Sequence, residues 1–344
     1  AEQVLAEGKA DFIAIGRGLL AEPEWVNKVQ CGRTADIMPC IGCHEGCLWQ
    51  MIASEPTSCS LNPMTGHETE WQPVPLKKKR SLLVVGGGPA GIEAARVGAE
   101  RGFDVTLWEA TERVGGNLWP ASRPGFKRDL ADYISYLKGL TQRMSAGIVL
   151  NKQATVADIN AFGADHVVLA TGAQMEPPPF DPAGNIMSVI QVLNGTVPRG
   201  NNVLVMGAGV IGCETAIWLA GQEKKVALCA RRDADELDTD MVDHHNREML
   251  MHLLQHPNIT ILRGTIPVRI EGDGVIAAQK DTEIHIPMDS LVFAGRLFSQ
   301  NELSTAFDGA ENVISIGDCV APNTVKDAVW GGFHAVRKIE LETS

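Results

Sequence analysis

Four thiols, Cys40, Cys43, Cys47 and Cys59, fall within twenty residues of this 344-residue chain. Iron in a cubane cluster carries bridging sulphide and takes one terminal thiolate per metal, so four closely grouped cysteines are the donor set it needs. The gaps of two and three residues let one loop wrap three corners, and the fourth thiol arrives after eleven more. Gly42 and Gly46 permit the tight backbone of such a loop. Zinc is the main competitor, because four thiolates also close a structural site. Zinc sites usually offer paired CxxC knuckles, however, and only Cys40 and Cys43 have that spacing here. Unmetallated thiols are a third reading; a disulfide would need an oxidising compartment, and nothing in the chain points to secretion. Cys31, Cys213, Cys229 and Cys319 are scattered and read as small buried hydrophobes.

A second chemistry follows in the glycines. The apolar run 81–85 leads into Gly86, Gly88 and Gly91, which spell GxGxxG, then a small-residue helix over 92–101 and a strand over 104–108 ending on Glu109. Glycine permits the tight turn and the approach of backbone to a pyrophosphate. The helix N-terminus, with Pro89 and Ala90, faces the phosphates, and the acid meets the adenosine ribose. Gly115 and Gly116 add a further glycine turn of the kind a flavin nucleotide uses. The pattern recurs: a strand over 202–206, then Gly207, Gly209 and Gly212. Eighteen residues separate Gly91 from Glu109, yet the same count from Gly212 reaches Ala230, with Arg231 and Arg232 directly after it. An acid there favours NAD(H), whereas arginine accommodates a 2′-phosphate, so NADP(H) is expected over NAD(H). The alternative is a second fold that binds no nucleotide.

The elements that must position these groups are α/β in pattern. Residues 1–38 read as helix, strand (10–15), loop and helix, with Gly16 and Arg17 at the strand end suited to a phosphate. Residues 39–79 hold the cysteine loop and a Pro-rich exit. Residues 80–180 and 299–344 form one dinucleotide-binding unit, and 181–298 the other. A helix is expected over 128–140 and a strand over 165–170. Another helix over 241–254 carries surface histidines, and a strand over 312–316 ends on Gly317 and Asp318, which suit a ribitol or ribose hydroxyl. A last helix runs over 325–342. The net charge of −12 argues against nucleic acid or an anionic membrane as partner. The basic run from Lys77 to Arg80 reads as a solvated linker. No segment has the length of a charge-free membrane span, and no signal peptide is evident, so a reducing cytoplasm is the expected setting. The first residue is Ala1 rather than Met, and the opening reads as part of a longer polypeptide.

Together these features resemble the iron–sulphur flavoenzymes of the old yellow enzyme group, typified by 2,4-dienoyl-CoA reductase and trimethylamine dehydrogenase. The resemblance implies the end of an FMN-binding β/α barrel, then a 4Fe-4S loop, then two Rossmann-like domains of glutathione-reductase type. It assigns Gly16 and Arg17 to the FMN phosphate and Cys40, Cys43, Cys47 and Cys59 to the cluster. Gly86, Gly88, Gly91, Glu109 and Asp318 are assigned to FAD or ADP. Most of the barrel, with its substrate and catalytic positions, is absent from the chain. In the reductase branch, NAD(P)H reduces FAD, the cluster relays electrons to FMN, and an enone or enoyl thioester is reduced. In the amine branch, the substrate reduces FMN and the cluster passes electrons to an electron-transfer flavoprotein, with ADP in place of FAD. The cysteine spacing and Arg231 and Arg232 resemble the reductase branch; Ala294, Gly295 and Arg296 resemble the amine branch. A third expectation is a nucleotide-binding redox module without catalysis of its own.

Overall fold

The computed structural model describes residues 1–180, 185–232, 244–280 and 282–339. Its first sheet is parallel and five-stranded, in the spatial order Val313–Ser315, His166–Leu169, Ser81–Val85, Asp104–Trp108, Ala146–Val149. Leu82, Leu83, Val84 and Val85 are all buried because both faces of the sheet are covered, as parallel sheets require. Successive side chains point to opposite faces. Leu82 and Val84 therefore join Ala94, Val97, Phe333 and Val336 under the helices Pro89–Arg101 and Val325–Lys338. Leu83 and Val85 join Ile159, Leu169 and Trp108 on the other side.

The second sheet repeats this order: Ile186–Ser188, Ser290–Phe293, Asn202–Met206, Lys225–Cys229, Ile259–Leu262. The edge strand differs in origin. In the first sheet it comes from the end of the chain, and in the second it precedes the other four strands. An antiparallel sheet of Thr265–Glu271, Gly274–Gln279 and Thr282–Pro287 is inserted before Ser290. Ala173–Met175 pairs antiparallel with Leu297–Ser299 where the chain passes between the two folds. Only Ala170, Thr171 and Gly172 separate the strand His166–Leu169 from Ala173–Met175. Lys127 and Glu214 form an ion pair across the same junction.

Before Ser81 the described chain contains helices and irregular backbone but no strand. The strand expected over 10–15 is not formed, and Phe12 is 90% exposed. A strand exists by exchanging backbone hydrogen bonds with a neighbour, and no described strand lies beside this segment. The expected barrel end is represented by the short helices Glu2–Ala6, Arg17–Ala21 and Trp25–Gln30. The helix expected over 241–254 is described as His244–Leu253, its first expected residues lying outside the described set. The last helix is Val325–Lys338, and residues 340–344 also lie outside it. Among the described residues no helix is long and apolar enough to cross a membrane.

The cysteine segment is fixed by polar ties at both ends. Asn62 and Thr65 donate side-chain hydrogen bonds to the Leu20 carbonyl, each at 2.9 Å. The buried Glu22 carboxylate accepts from the Met38 amide at 3.1 Å and pairs with Lys28. On the linker side, the buried Arg101 guanidinium donates to the carbonyls of Val74 at 2.7 Å and Ile339 at 2.9 Å, and to that of Val336.

Candidate functional site

The first glycine turn lies at the carboxyl ends of the first sheet, where ligands of open α/β sheets bind. Gly86 sits at φ +113°, and a Cβ on it would lie 2.1 Å from the Ala170 carbonyl oxygen. A Cβ on Gly91 would lie 1.9 Å from the Gly86 oxygen, so no side chain fits between the turn and the helix. Gly88 faces open space, which leaves its backbone approachable. Pro89 opens the helix at its first position. The second glycine turn docks on the first: the Gly115 amide donates to the Gly87 carbonyl at 2.7 Å, and a Cβ on Gly116 would meet the Gly88 Cα at 3.2 Å.

Glu109 ends its strand with a buried carboxylate. One oxygen accepts from the Gly87 amide at 2.7 Å, and the other from the Thr111 amide at 2.8 Å and hydroxyl at 2.7 Å. A carboxylate offers roughly four lone-pair sites, so about one remains for a further donor. Asp318, in the turn Gly317–Cys319, accepts from the Asn323 amide at 3.3 Å. Burial, helped by the like charge of Asp327, pushes its carboxyl above the ordinary range. A Cβ on Gly317 would press on the Ala90 Cβ at 3.0 Å, which places this turn beside the helix start. Gly86, Gly88, Pro89, Ala90, Gly91, Glu109, Gly116, Gly317 and Asp318 are thus brought together.

The second fold repeats the glycine turn. Gly207 has the same φ of +113°, with a Cβ position 2.4 Å from the Ala294 oxygen, and a Cβ on Gly212 would lie 1.9 Å from the Gly207 oxygen. Gly209 caps the following helix Val210–Ala220. Ala230 follows the strand Lys225–Cys229 where Glu109 follows its strand in the first fold, and Arg231 and Arg232 come directly after it, both exposed.

Cys40, Cys43, Cys47 and Cys59 line a single small cavity together with Arg17, His44 and Ser60. All are free thiols. The Gly42 amide points to the Cys40 sulphur at 3.4 Å, and the Cys43 sulphur lies 3.2 Å from the Ser60 hydroxyl. Gly42 adopts φ +63°, and a Cβ on Gly46 would lie 3.0 Å from the Ser58 carbonyl oxygen. Burial pushes the Cys43 and Cys59 thiols up, while the amides of Leu61 and Asn62 act against it at Cys59. Among the described residues no three His, Cys, Asp or Glu side chains form a set that would hold a single metal ion. The donor set nevertheless fits a cubane in type and number, because each of its irons takes one thiolate and the four stand around a space.

Arg17 does not join the nucleotide cradles. Its guanidinium contacts the His44 ring on the cysteine loop, and Gly16 precedes it as the cap of the helix Arg17–Ala21. Glu45, Ser60, Thr324 and Trp330 were not singled out in the sequence, yet they tie this loop to the first fold. Thr324 donates to Glu45 at 2.7 Å, Ser60 donates to Glu45 at 3.3 Å, and the Trp330 indole donates to the Cys59 carbonyl at 2.9 Å. His44 and Glu45, polar residues inside a cysteine run, were the visible signal. Of the cysteines expected to be buried, Cys213, Cys229 and Cys319 are, whereas Cys31 is exposed.

Residues 80–312 match the family described as pyridine nucleotide-disulphide oxidoreductase. The chain belongs to that family. Its relatives are flavoenzymes of the old yellow enzyme and 2,4-dienoyl-CoA reductase kind. It is 33% identical to a cinnamate reductase of Clostridium sporogenes over 97% of this chain and 50% of the relative. It is also 33% identical to a metal reductase of Desulforamulus reducens over 98% of this chain and 56% of the relative. A solved 2-naphthoyl-CoA reductase in complex with 2-naphthoyl-CoA superposes with a TM-score of 0.90 at 29% identity, covering 98% of this chain and 52% of that one. The chain therefore spans about half the length of the relatives it matches. As a member of the pyridine nucleotide-disulphide oxidoreductases it is an oxidoreductase module for flavin and nicotinamide cofactors.

Proposed function

We propose that the chain is the electron-transfer portion of an NAD(P)H:flavin oxidoreductase that reduces the activated double bond of an enone or enoyl thioester. The observation that carries this reading is the cavity ringed by four free thiols and packed against the first nucleotide-binding fold. Residues 39–79 would hold the cluster on Cys40, Cys43, Cys47 and Cys59. Residues 80–180 and 299–344 would bind FAD through both glycine turns, Glu109 and Asp318. Residues 181–298 would bind NADP(H), with Arg231 and Arg232 at the 2′-phosphate. When bound, the flavin converts hydride into single electrons, which a cluster carries one at a time. Arg17 and Gly16 would meet the phosphate of an FMN enclosed by barrel residues of the longer parent. The contact of Arg17 with His44 supports that role, since it brings a phosphate-binding cation to the rim of the cysteine cavity. The proposed setting is a reducing cytoplasm, where the thiols stay free.

The test is anaerobic reconstitution of the chain with iron, sulphide and FAD, followed by rapid mixing with NADPH. About four irons per chain are expected for a cubane, with loss of flavin absorbance preceding loss of cluster absorbance. Absence of iron uptake would refute the cluster. In the parent protein, reduction by a methylated amine but by neither nicotinamide would instead favour amine oxidation, with ADP in the first cradle and an electron-transfer flavoprotein as acceptor.

A further inference from the structure

The last helix of the first fold, Val325–Lys338, is a wall shared by two sites. Toward the nucleotide cradle it packs on Ala90: a Cβ on Gly332 would lie 2.3 Å from the Ala90 carbonyl oxygen, so helix and cradle move together. Toward the cysteine loop it makes two side-chain ties. Its N-cap Thr324 donates to Glu45 at 2.7 Å, between Cys43 and Cys47, and the Trp330 indole donates to the Cys59 carbonyl at 2.9 Å. Apolar packing reinforces the arrangement, with Val329 of this helix buried among Leu61 and Ile92 and with Cys59 against the same cluster. Trp330 is itself located by Lys326 over its ring at 4.9 Å and by edge contacts with Trp71 and His334.

Cys59 is the one thiol that arrives from outside the run Cys40 to Cys47, so its backbone needs an anchor of its own. Its carbonyl has that anchor on the helix that also touches the first glycine turn's helix. We propose that Trp330 is a positioning residue which holds Cys59 to the nucleotide-binding fold, so that filling the first nucleotide cradle protects the cluster. The proposal rests on the cluster reading above. It goes beyond that reading in assigning a residue 271 positions away in sequence to the retention of the fourth ligand, and in linking two cofactors thermodynamically. Whatever binds the cradle more tightly when the helix is seated must stabilise the seated helix, and with it the tie to Cys59.

The experiment uses the whole chain reconstituted with iron and sulphide, in the presence or absence of added FAD, and follows cluster absorbance after addition of an iron chelator. In the unmodified chain FAD is expected to slow bleaching severalfold. Trp330→Phe keeps the ring and removes the donor; it is expected to bind the same iron and FAD, bleach severalfold faster, and lose most of the FAD-dependent protection. The low-temperature EPR spectrum of its reduced cluster is expected to shift, a readout that a purely structural ring would not move. Should Trp330→Phe fail to fold, Thr324→Val tests the other tie and is expected to bleach faster in the same way. FAD protecting Trp330→Phe as well as it protects the unmodified chain, with an unchanged spectrum, overturns the proposal. A chain that takes up no iron overturns the cluster reading itself, and this proposal with it.

Discussion

Gly88 and Gly91 stand three residues apart in one motif, and substituting each with alanine separates folding from cofactor binding. A Cβ at position 91 would lie 1.9 Å from the Gly86 carbonyl oxygen and 3.0 Å from its carbon. Both are backbone atoms and cannot swing away as a side chain would. Overpacking of a tight interior costs about 1–3 kcal/mol, and a backbone obstacle belongs at the upper end. A loss of about 3 kcal/mol lowers the melting temperature of a domain of this size by about 6–12 °C. At position 88 nothing lies within 4 Å of the Cβ, and φ is −75°, a value any residue adopts. Gly88→Ala is therefore expected to leave the flavin-free chain within about 0.5 kcal/mol of its original stability. The same methyl would occupy the space where a pyrophosphate meets the loop. Losing one charge-assisted hydrogen bond costs about 1.5–3 kcal/mol, which is roughly a tenfold to hundredfold weaker FAD complex.

The assays are thermal unfolding of both flavin-free variants and FAD titration by fluorescence quenching. Gly91→Ala should fail both, and Gly88→Ala only the second. FAD binding by Gly88→Ala at the original affinity would refute the assignment of this loop as the pyrophosphate cradle. Unchanged melting of flavin-free Gly91→Ala would refute the packing argument drawn from the Gly86 oxygen.

Glu109→Gln replaces an oxygen that accepts from the Gly87 amide or the Thr111 pair with an amide that cannot accept; a stability loss of about 2 kcal/mol is expected, measured by denaturant unfolding. Arg231→Ala with Arg232→Ala should weaken NADPH binding about tenfold or more while leaving NADH nearly unchanged. Equal losses for the two nicotinamides in direct titration would remove the 2′-phosphate role. Burial among Trp71, Trp330 and Phe333, then the nearby charges of Arg337 and Lys338, push the His334 imidazole down to about 4 from an ordinary 6.5. The unfolded chain therefore binds the extra proton first as pH falls. This contribution to stability is intact above pH 6.5 and is lost progressively between there and about pH 4. His334→Gln should flatten that limb of the stability–pH curve, and an unaltered slope would show that the histidine titrates normally in the folded chain.

What the sequence disclosed of this protein depended on whether a residue's partner was nearby in the chain. The run from Ser81 to Val85 could be read as a buried strand because its apolar continuity and the glycines after it are local facts, and the cysteine set could be read from spacing alone. The Gly86–Gly91 turn was legible for the same reason, since the atom that excludes a side chain at Gly91 is only five residues away. The segment 10–15 has an equally strand-like composition and pairs with no described strand, because composition states a preference and a neighbouring backbone decides it. Thr324 declares itself as a helix cap, its amide donating to the Asp327 carboxylate at 3.2 Å to complete the box, but the Glu45 that its hydroxyl also reaches is 279 residues distant. Arg17 shows the same limit. A guanidinium after Gly16 announces an anion site, yet its contact in this structure is His44 on the cysteine loop, which only the packing of the first helices against that loop determines. The exchanged edge strands make the point at the level of topology: Val313–Ser315 and Ile186–Ser188 fill equivalent places from opposite ends of their folds, and either strand alone carries too few residues to reveal its neighbour. A donor is written in the residue type, whereas its acceptor is chosen by the fold. For that reason the glycine turns and the cysteine set were legible, and the ties between them became visible only in three dimensions.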